Sequence, residues 1–314
     1  MMDTIKVFSP GSVTNLSCGY DILGFCLDKV GDTIIVKKTP EQGLRISSID
    51  KYDLPLSIDK NVAGIAAKAM INEVKISHGL DIKIEKGIKP GSGIGSSAAS
   101  SAGTVFAINK IIGSPFSDRE LIRFAMEGEK YVSGSYHADN VSPILLGGIT
   151  LVRSVKDLDI IKLPNPKDLI ATIIRPEIEI KTSDSRKVVK SKVTIDKMVR
   201  QSANLAAFVS SLYTEDYDLM SNSIVDEIIE PDRALLIPEY YNIKQISLRA
   251  GAIACGISGS GPAIFSLSKS DKVANNILDK MSSHFDSVNI NYNGFVSKIN
   301  SEGVKVIDWW DTLA

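Results

Sequence analysis

Residues 89–99 read Lys89-Pro90-Gly91-Ser92-Gly93-Ile94-Gly95-Ser96-Ser97-Ala98-Ala99. They directly follow a stretch at 80–86, Leu-Asp-Ile-Lys-Ile-Glu-Lys, whose alternation predicts a strand. Three alternating glycines remove every Cβ along one edge of a loop, so an anion can approach the backbone N–H groups closely. Two hydroxyls and then small residues follow, and these read as the opening turns of a helix running to about residue 112. A helix N-terminus carries unpaired N–H groups and the positive end of the dipole. Strand, glycine loop and helix in that order point to a nucleotide or another phosphorylated ligand. Two better-known loops are excluded by spacing. A P-loop needs Lys after its last glycine, and a dinucleotide fingerprint needs glycine where Ser96 stands. A flexible turn capped by Ser96 remains the bland alternative. The small residues after it suit close approach of backbone to a ligand or to a sheet.

Outward from the loop, alternation predicts strands at 4–9 and 31–38, with Gly31-Asp32 as a turn before the second. Helical spacing covers 60–77, with Asp59 as its N-cap. Ser117 and Glu120 form a capping box for a helix at 118–131. A polar turn at 133–135 and an extended run ending Leu-Leu-Gly-Gly-Ile-Thr-Leu-Val close the first half. The segment 156–167, with Pro164 and Pro166, is the expected domain boundary. Beyond it, strands are expected at 169–174 and 263–267 and helices at 194–213, 215–228 and 271–285, an antiparallel sheet with helices on one face.

The bulk properties narrow the class. A chain of 314 residues, 44% hydrophobic and 23% charged, holds one large or two ordinary globular domains. A net charge of −1 offers no electrostatic footprint for nucleic acid or for an anionic membrane. No run reaches the ~18 apolar residues of a membrane span, and the N-terminus lacks a secretory apolar segment. Cys18, Cys26 and Cys255 are odd in number and lack metal spacing, so a reducing, cytoplasmic setting is expected. His78, His137 and His284 are too scattered for a His-based zinc site.

Four further constellations carry chemistry. Asn15 and Asp21 share a Gly/Ser-rich turn, where together they could meet a hydroxyl and an ammonium group or simply form Asx turns. Glu129 lies near a helix end, ahead of His137, Asp139 and Asn140. A carboxylate facing a serine hydroxyl and phosphate oxygens is a Mg²⁺ arrangement, and a solvated surface glutamate is the alternative. Residues 256–262, Gly-Ile-Ser-Gly-Ser-Gly-Pro, form a second glycine turn, expected between a helix and a strand, that could close over a ligand from the other domain. Thr182 with Arg186, and Arg233, bring guanidinium groups that match carboxylates bidentately, or are surface arginines.

In this order the constellations resemble the GHMP small-molecule kinases. The glycine loop at 89–99 is similar to that superfamily's Pro-x3-Gly-Leu-Gly-Ser-Ser-Ala-Ala motif, with Ile94 for Leu and one residue fewer between Pro90 and Gly93. Residues 12–24 resemble Ser-x-Ala-Asn-Leu-x-x-Gly-Phe-Asp-x-Leu-Gly, with Thr14 for Ala and Tyr20 for Phe. His137-Ala-Asp-Asn-Val-Ser-Pro with Gly147-Gly148 resembles His-x-Asp-Asn-Val-Ala-Pro…Gly-Gly, and Gly256–Pro262 is similar to the C-terminal motif. The second and third of these belong to the branch that phosphorylates the side-chain hydroxyl of L-homoserine, a step towards threonine.

The resemblance implies an α+β, two-domain fold: a mixed α+β nucleotide-binding domain at 1–160 and a ferredoxin-like α/β sandwich at 161–314. ATP and homoserine would share the cleft between them, in a possible homodimer. ATP would lie on Lys89, Pro90, Gly91, Ser92, Gly93, Ile94, Gly95, Ser96, Ser97, Ala98 and Ala99, with Asn61 and Val62 near the adenine. Ser97 and Glu129 would hold Mg²⁺, Ser96 being the alternative in a shifted register. Asn15, Asp21, His137, Asp139, Thr182, Arg186, Arg233 and Gly259 match substrate positions, and Asn15, Glu129, His137 and Asn140 the catalytic ones. Some relatives carry an aspartate base where Asn140 stands; an amide cannot take that proton, so it is expected to pass directly to phosphate. A relative acting on mevalonate, a sugar or shikimate would leave Asp21 and Asp139 without an ammonium partner. A non-catalytic nucleotide-binding regulator would be expected to lack Glu129.

Overall fold

The computed structural model describes residues 3–180 and 182–307. In chain order the first half is β1 (Thr4–Thr14), β2 (Leu23–Thr39), β3 (Leu44–Ile49), α1 (Val62–Ile71), β4 (Gly79–Glu85), α2 (Ser96–Ile111), α3 (Asp118–Ser133), α4 (Val141–Leu146), β5 (Ile149–Ser154) and β6 (Asp159–Leu163). The seventeen-residue β2 organises it. It pairs antiparallel with β1, with β4 over residues 33–39 and with β5 over residues 23–25, and β3 lies parallel to β4. Registers such as Val7 opposite Ile34, and Ile34 opposite Ile84, line up a buried apolar row on one face. Helices α1, α2 and α3 pack together, with α2 lying directly on β1 and β2.

Helix α2 is buried almost all round, and its small side chains let it approach the sheet. A Cβ on Gly103 would stand 2.6 Å from Cβ of Ser9 and 2.8 Å from Ile34. The Ser9 hydroxyl instead donates to the carbonyl of Ala99 at 2.7 Å.

The second half comprises β7 (Ile170–Pro176), α5 (Thr182–Lys187), α6 (Ile195–Thr214), α7 (Tyr217–Ser223), α8 (Glu230–Arg233), α9 (Tyr240–Arg249), β8 (Ala254–Ile257), β9 (Ile264–Ser268), α10 (Asp271–Ser287) and β10 (Tyr292–Lys298). Its four strands are ordered β10-β7-β9-β8 with every pair antiparallel, the ferredoxin-like arrangement. Ile174 and Ile264 face α9 and α10, whereas Ile173 and Phe265 continue the core of the first half. The chain crosses between the sheets at 164–169 and returns, so that β11 (Lys305–Val306) pairs with β1. The boundary expected at 160/161 therefore falls inside β6, and the C-terminal end of the described chain belongs to the first sheet.

Several local expectations are corrected. Gly31-Asp32 is not a turn: β2 runs through it, because Gly31 makes room for the carbonyl of Ser9 and Asp32 is a buried acceptor. Residues 141–146 are helical, ending at Gly147 with φ 74°. The helix expected at 215–228 stops at Ser223, since the Asp226 carboxylate takes the N–H groups of Ile228, Ile229 and Glu230 and starts α8. The second glycine turn joins two strands, β8 and β9. Helix α1 is shorter than the 60–77 expected, and its cap is Asn61, not Asp59. The Asn61 Oδ1 accepts from Ala63 N at 2.9 Å and Nδ2 donates to the carbonyl of Pro55 at 2.8 Å. Asn61→Ala should lower the unfolding free energy by about 0.5–2 kcal/mol, while Asp59→Ala, on the exposed side, should stay within about 0.5 kcal/mol. Urea unfolding of the two variants checks this, and equal losses would return the cap to Asp59.

Candidate active site

The loop from Lys89 to Gly95 leaves β4 and delivers the chain to the N-terminus of α2. Gly91, Gly93 and Gly95 all have positive φ, at 69°, 80° and 72°. The close approach that requires glycine at the last two is made by the protein itself. A Cβ on Gly93 would lie 2.7 Å from the carbonyl of Gly261, and one on Gly95 would lie 2.2 Å from the Ser12 hydroxyl. The loop is thus wedged between β1 and the β8–β9 turn, and Ser258 donates to the carbonyl of Gly93 at 2.7 Å. No side chain caps α2, and its first residues Ser96 and Ser97 line the cleft, so the uncapped start of a helix, suited to an anion, lies at the cleft.

Beneath the loop lies a charged pair that the motif reading missed. Lys86, at the end of β4, donates to Asp32 of β2, to the carbonyl and hydroxyl of Ser96 at 3.1 and 2.9 Å, and to the hydroxyl of Ser100 at 2.9 Å. Asp32 also accepts from Ser100 Oγ at 2.8 Å and from the N–H groups of Gly87 and Ile88 at 3.1 and 3.2 Å. Lys86 is 2% exposed and Asp32 fully enclosed. Burial pulls the Lys86 ammonium below its ordinary pKa, and Asp32 opposes that shift. The network fastens the strand before the loop to the first turn of the helix after it.

The cleft is partly open to solvent, with a cavity volume of about 280 Å³. At the start of α2, Ser97 faces Glu129 of α3. Ser96 turns inward, its hydroxyl donating to the carbonyl of Ile88 at 3.0 Å. Burial pushes the Glu129 carboxyl up to about 7, offset in part by the Ser97 hydroxyl, and its Oε1 is buried without a partner. Asp139 is likewise pushed up to about 7 by burial and by the charges of Asp21 and Glu129, with the Thr14 hydroxyl opposing. Its Oδ1 too lacks a partner. The Asn140 side-chain Oδ1 accepts from the Ser12 hydroxyl at 2.7 Å, which leaves the side-chain N–H groups to donate.

The opposite wall combines both halves of the chain. Asn15, at φ 72°, accepts from Asp21 N at 3.0 Å, six residues on rather than the two of an Asx turn, and donates to the carbonyl of Gly259 at 2.8 Å while lining the cleft. Arg186 of α5 reaches across to Asp21, with Nη2–Oδ1 3.2 Å and Nη1–Oδ2 3.4 Å. His137 Nε2 bonds Ser135 Oγ at 2.7 Å, and Nδ1 faces Arg186 at 3.4 Å. Burial lowers the His137 pKa against the raising influence of Asp21. Arg233 of α8 is 4% exposed and donates to the carbonyls of Gly259 at 2.8 Å and Ser185 at 3.3 Å.

The cleft therefore gathers Asn15, Asp21, Glu129, His137, Asp139, Asn140, Arg186, Arg233 and Gly259, with Val62, Pro90–Gly93 and Gly95–Ser97. Other expected contacts point elsewhere: Ile94, Ala98 and Ala99 sit in the hydrophobic core, Lys89 is exposed, and the Asn61 side chain is occupied by its cap. Thr182 opens α5, but its side chain lies outside the described residues. Lys86, Ser100, Thr14, Leu54, Val132 and Ser260 line the cleft without having been singled out. Only the apolar-strand context of Lys86 hinted at burial.

Comparison with known proteins bears on this geometry. The chain matches the GHMP kinases N terminal domain over residues 61–148 and the GHMP kinases C terminal domain over 206–287. It is 36% identical to the homoserine kinase of Chlorobium phaeobacteroides strain BS1 over 98% of this chain and all of that protein. It is 39% identical to that of Methanococcus maripaludis strain S2 over 87% of this chain and 90% of the other. The crystal structure of homoserine kinase from Cytophaga hutchinsonii superposes with a TM-score of 0.94 at 43% identity, covering 98% of each chain.

Removing one partner of a buried ion pair leaves an uncompensated charge, which costs about 3–5 kcal/mol. Lys86→Met should therefore lower the unfolding free energy by roughly that amount in urea titration. A loss under about 1 kcal/mol, the value of an exposed pair, would show that the network does not hold the loop.

Proposed function

This chain belongs to the GHMP kinases, and we propose that it transfers the terminal phosphoryl group of ATP to the side-chain hydroxyl of L-homoserine, giving O-phospho-L-homoserine and ADP. The observation that carries the reading is one cleft that brings together an uncapped helix N-terminus, two buried carboxylates and two arginines. The full-length similarity to homoserine kinases supports the same substrate.

Phosphoryl transfer asks a protein mainly for positioning and charge stabilisation. The N–H groups at the start of α2 take the phosphates. The lone Oε1 of Glu129 beside Ser97 fits a hard cation that keeps most of its water. When bound there, Mg²⁺ would neutralise charge on the phosphates. Arg186 and Arg233 take the substrate carboxylate, and Asp139 and Asp21 its ammonium. Asp139, held partly protonated near neutral pH by burial, gains a cation when homoserine enters. The homoserine oxygen then bonds to the γ-phosphorus as the bond to the β–γ bridging oxygen breaks, and ADP departs. The Asn140 side-chain oxygen accepts from Ser12 and an amide cannot serve as the base, so the hydroxyl proton goes to a phosphoryl oxygen.

An ADP-release assay across substrates tests the assignment. Turnover is expected with L-homoserine and not with mevalonate or galactose, which have no ammonium for the carboxylates; turnover of either of those instead would overturn it. Glu129→Ala should lower kcat about 10²-fold or more, by analogy with the loss of other preorganised transition-state contacts, with partial recovery at raised Mg²⁺. An unchanged kcat would remove Glu129 from metal binding.

A further inference from the structure

Arg186 and Arg233 come from separate short helices, α5 and α8, and carry like charges close enough that Arg186 helps to depress the pKa of Arg233. Between them stands the phenol of Tyr20. Its Oη is 3.4 Å from Arg186 Nη1 and 3.4 Å from Arg233 Nη2, and the Arg233 guanidinium lies over the Tyr20 ring at 4.9 Å. Tyr20 does not line the cleft, whereas both arginines do.

We propose that Tyr20 is a positioning residue for the substrate carboxylate, its phenol oxygen bridging the two guanidinium groups so that they meet one carboxylate together. The proposal rests on the homoserine reading above. Two facing cations without an acceptor between them repel, and Asp21 already holds Arg186 on its other side without reaching Arg233 by a hydrogen bond. A half-buried phenol whose pKa is raised, chiefly by burial, stays neutral and offers lone pairs without cancelling the positive charge the ligand needs. The ring itself supplies the stacking, and the motif this segment resembles has Phe here. The hydroxyl is thus what this chain adds to that motif, and Tyr20→Phe should keep the packing. The gain is preorganisation: the clamp is assembled before the ligand arrives.

Steady-state kinetics with L-homoserine and with 3-amino-1-propanol, which lacks only the carboxylate, test the role. Tyr20→Phe should raise the KM for homoserine about 3–10-fold, as expected for a long hydrogen bond to a charged group. Its kcat should stay within about twofold and the KM for ATP should not move. The kcat/KM for 3-amino-1-propanol should be the same in both proteins. Arg233→Leu should raise the homoserine KM further, and adding Tyr20→Phe to it should cost less than in the wild type, because the phenol then has one arginine to position. An unchanged homoserine KM, or an equal loss on both substrates, overturns the proposal. Absence of homoserine turnover by the wild type overturns the functional reading itself.

Discussion

A buried ion pair, Lys86 with Asp32, sits where three elements meet, and the rest of the site is arranged around it. Desolvating two charges is costly and is recovered only when every remaining donor and acceptor is used. Here Ser96, Ser100, Gly87 and Ile88 complete both shells. Strand β2, the end of β4 and the first turn of α2 are thereby joined at one point. The intervening loop, seven residues with three glycines at positive φ, has no regular ladder of its own. Its shape is imposed at both ends by this pair and from the sides by Ser12 and by the β8–β9 turn.

That arrangement places unlike environments on the two sides of one cleft. At the start of α2 the cleft has a positive field built from backbone and independent of pH, with the Glu129 carboxyl beside it. The opposite wall is built from ionisable side chains. Glu129 and Asp139 are each buried with one oxygen unpartnered, and burial penalises their charged forms. Such groups oppose stability in the empty protein and favour ligand binding, a conflict characteristic of functional sites. Arg186, through Asp21, and Arg233, through Tyr20, join the two domains across this region, so this wall exists only when both halves are folded together.

Much of the fold was readable because its signals are local. Alternation in β4, the capping box of Ser117 and Glu120, and the periodicity of α6 and α10 depend on neighbours a few residues away. The glycine loop and the site residues from Asn15 to Arg233 were legible as motifs, and the cleft does bring them together. What escaped reading was set at long range. Asp32 looked like a turn residue until Lys86, 54 positions away, met it. Asn61 looked like an adenine contact, yet its amide is consumed by Pro55 and Ala63. Asp226 ended a helix that periodicity would have continued, by offering its oxygens to N–H groups ahead of it.

By itself the sequence determined the order strand, glycine loop, helix and the chemical types of the side chains that would meet a phosphate and an amino acid. These follow from backbone sterics and side-chain chemistry, which act over a few residues. Only the tertiary structure decided that Ser97 rather than Ser96 faces Glu129, that Gly93 and Gly95 are glycines because Gly261 and Ser12 press on them, and that Tyr20 stands between two arginines. Those outcomes depend on distances between residues remote in the chain, and only the packing of the two sheets and their helices sets such distances.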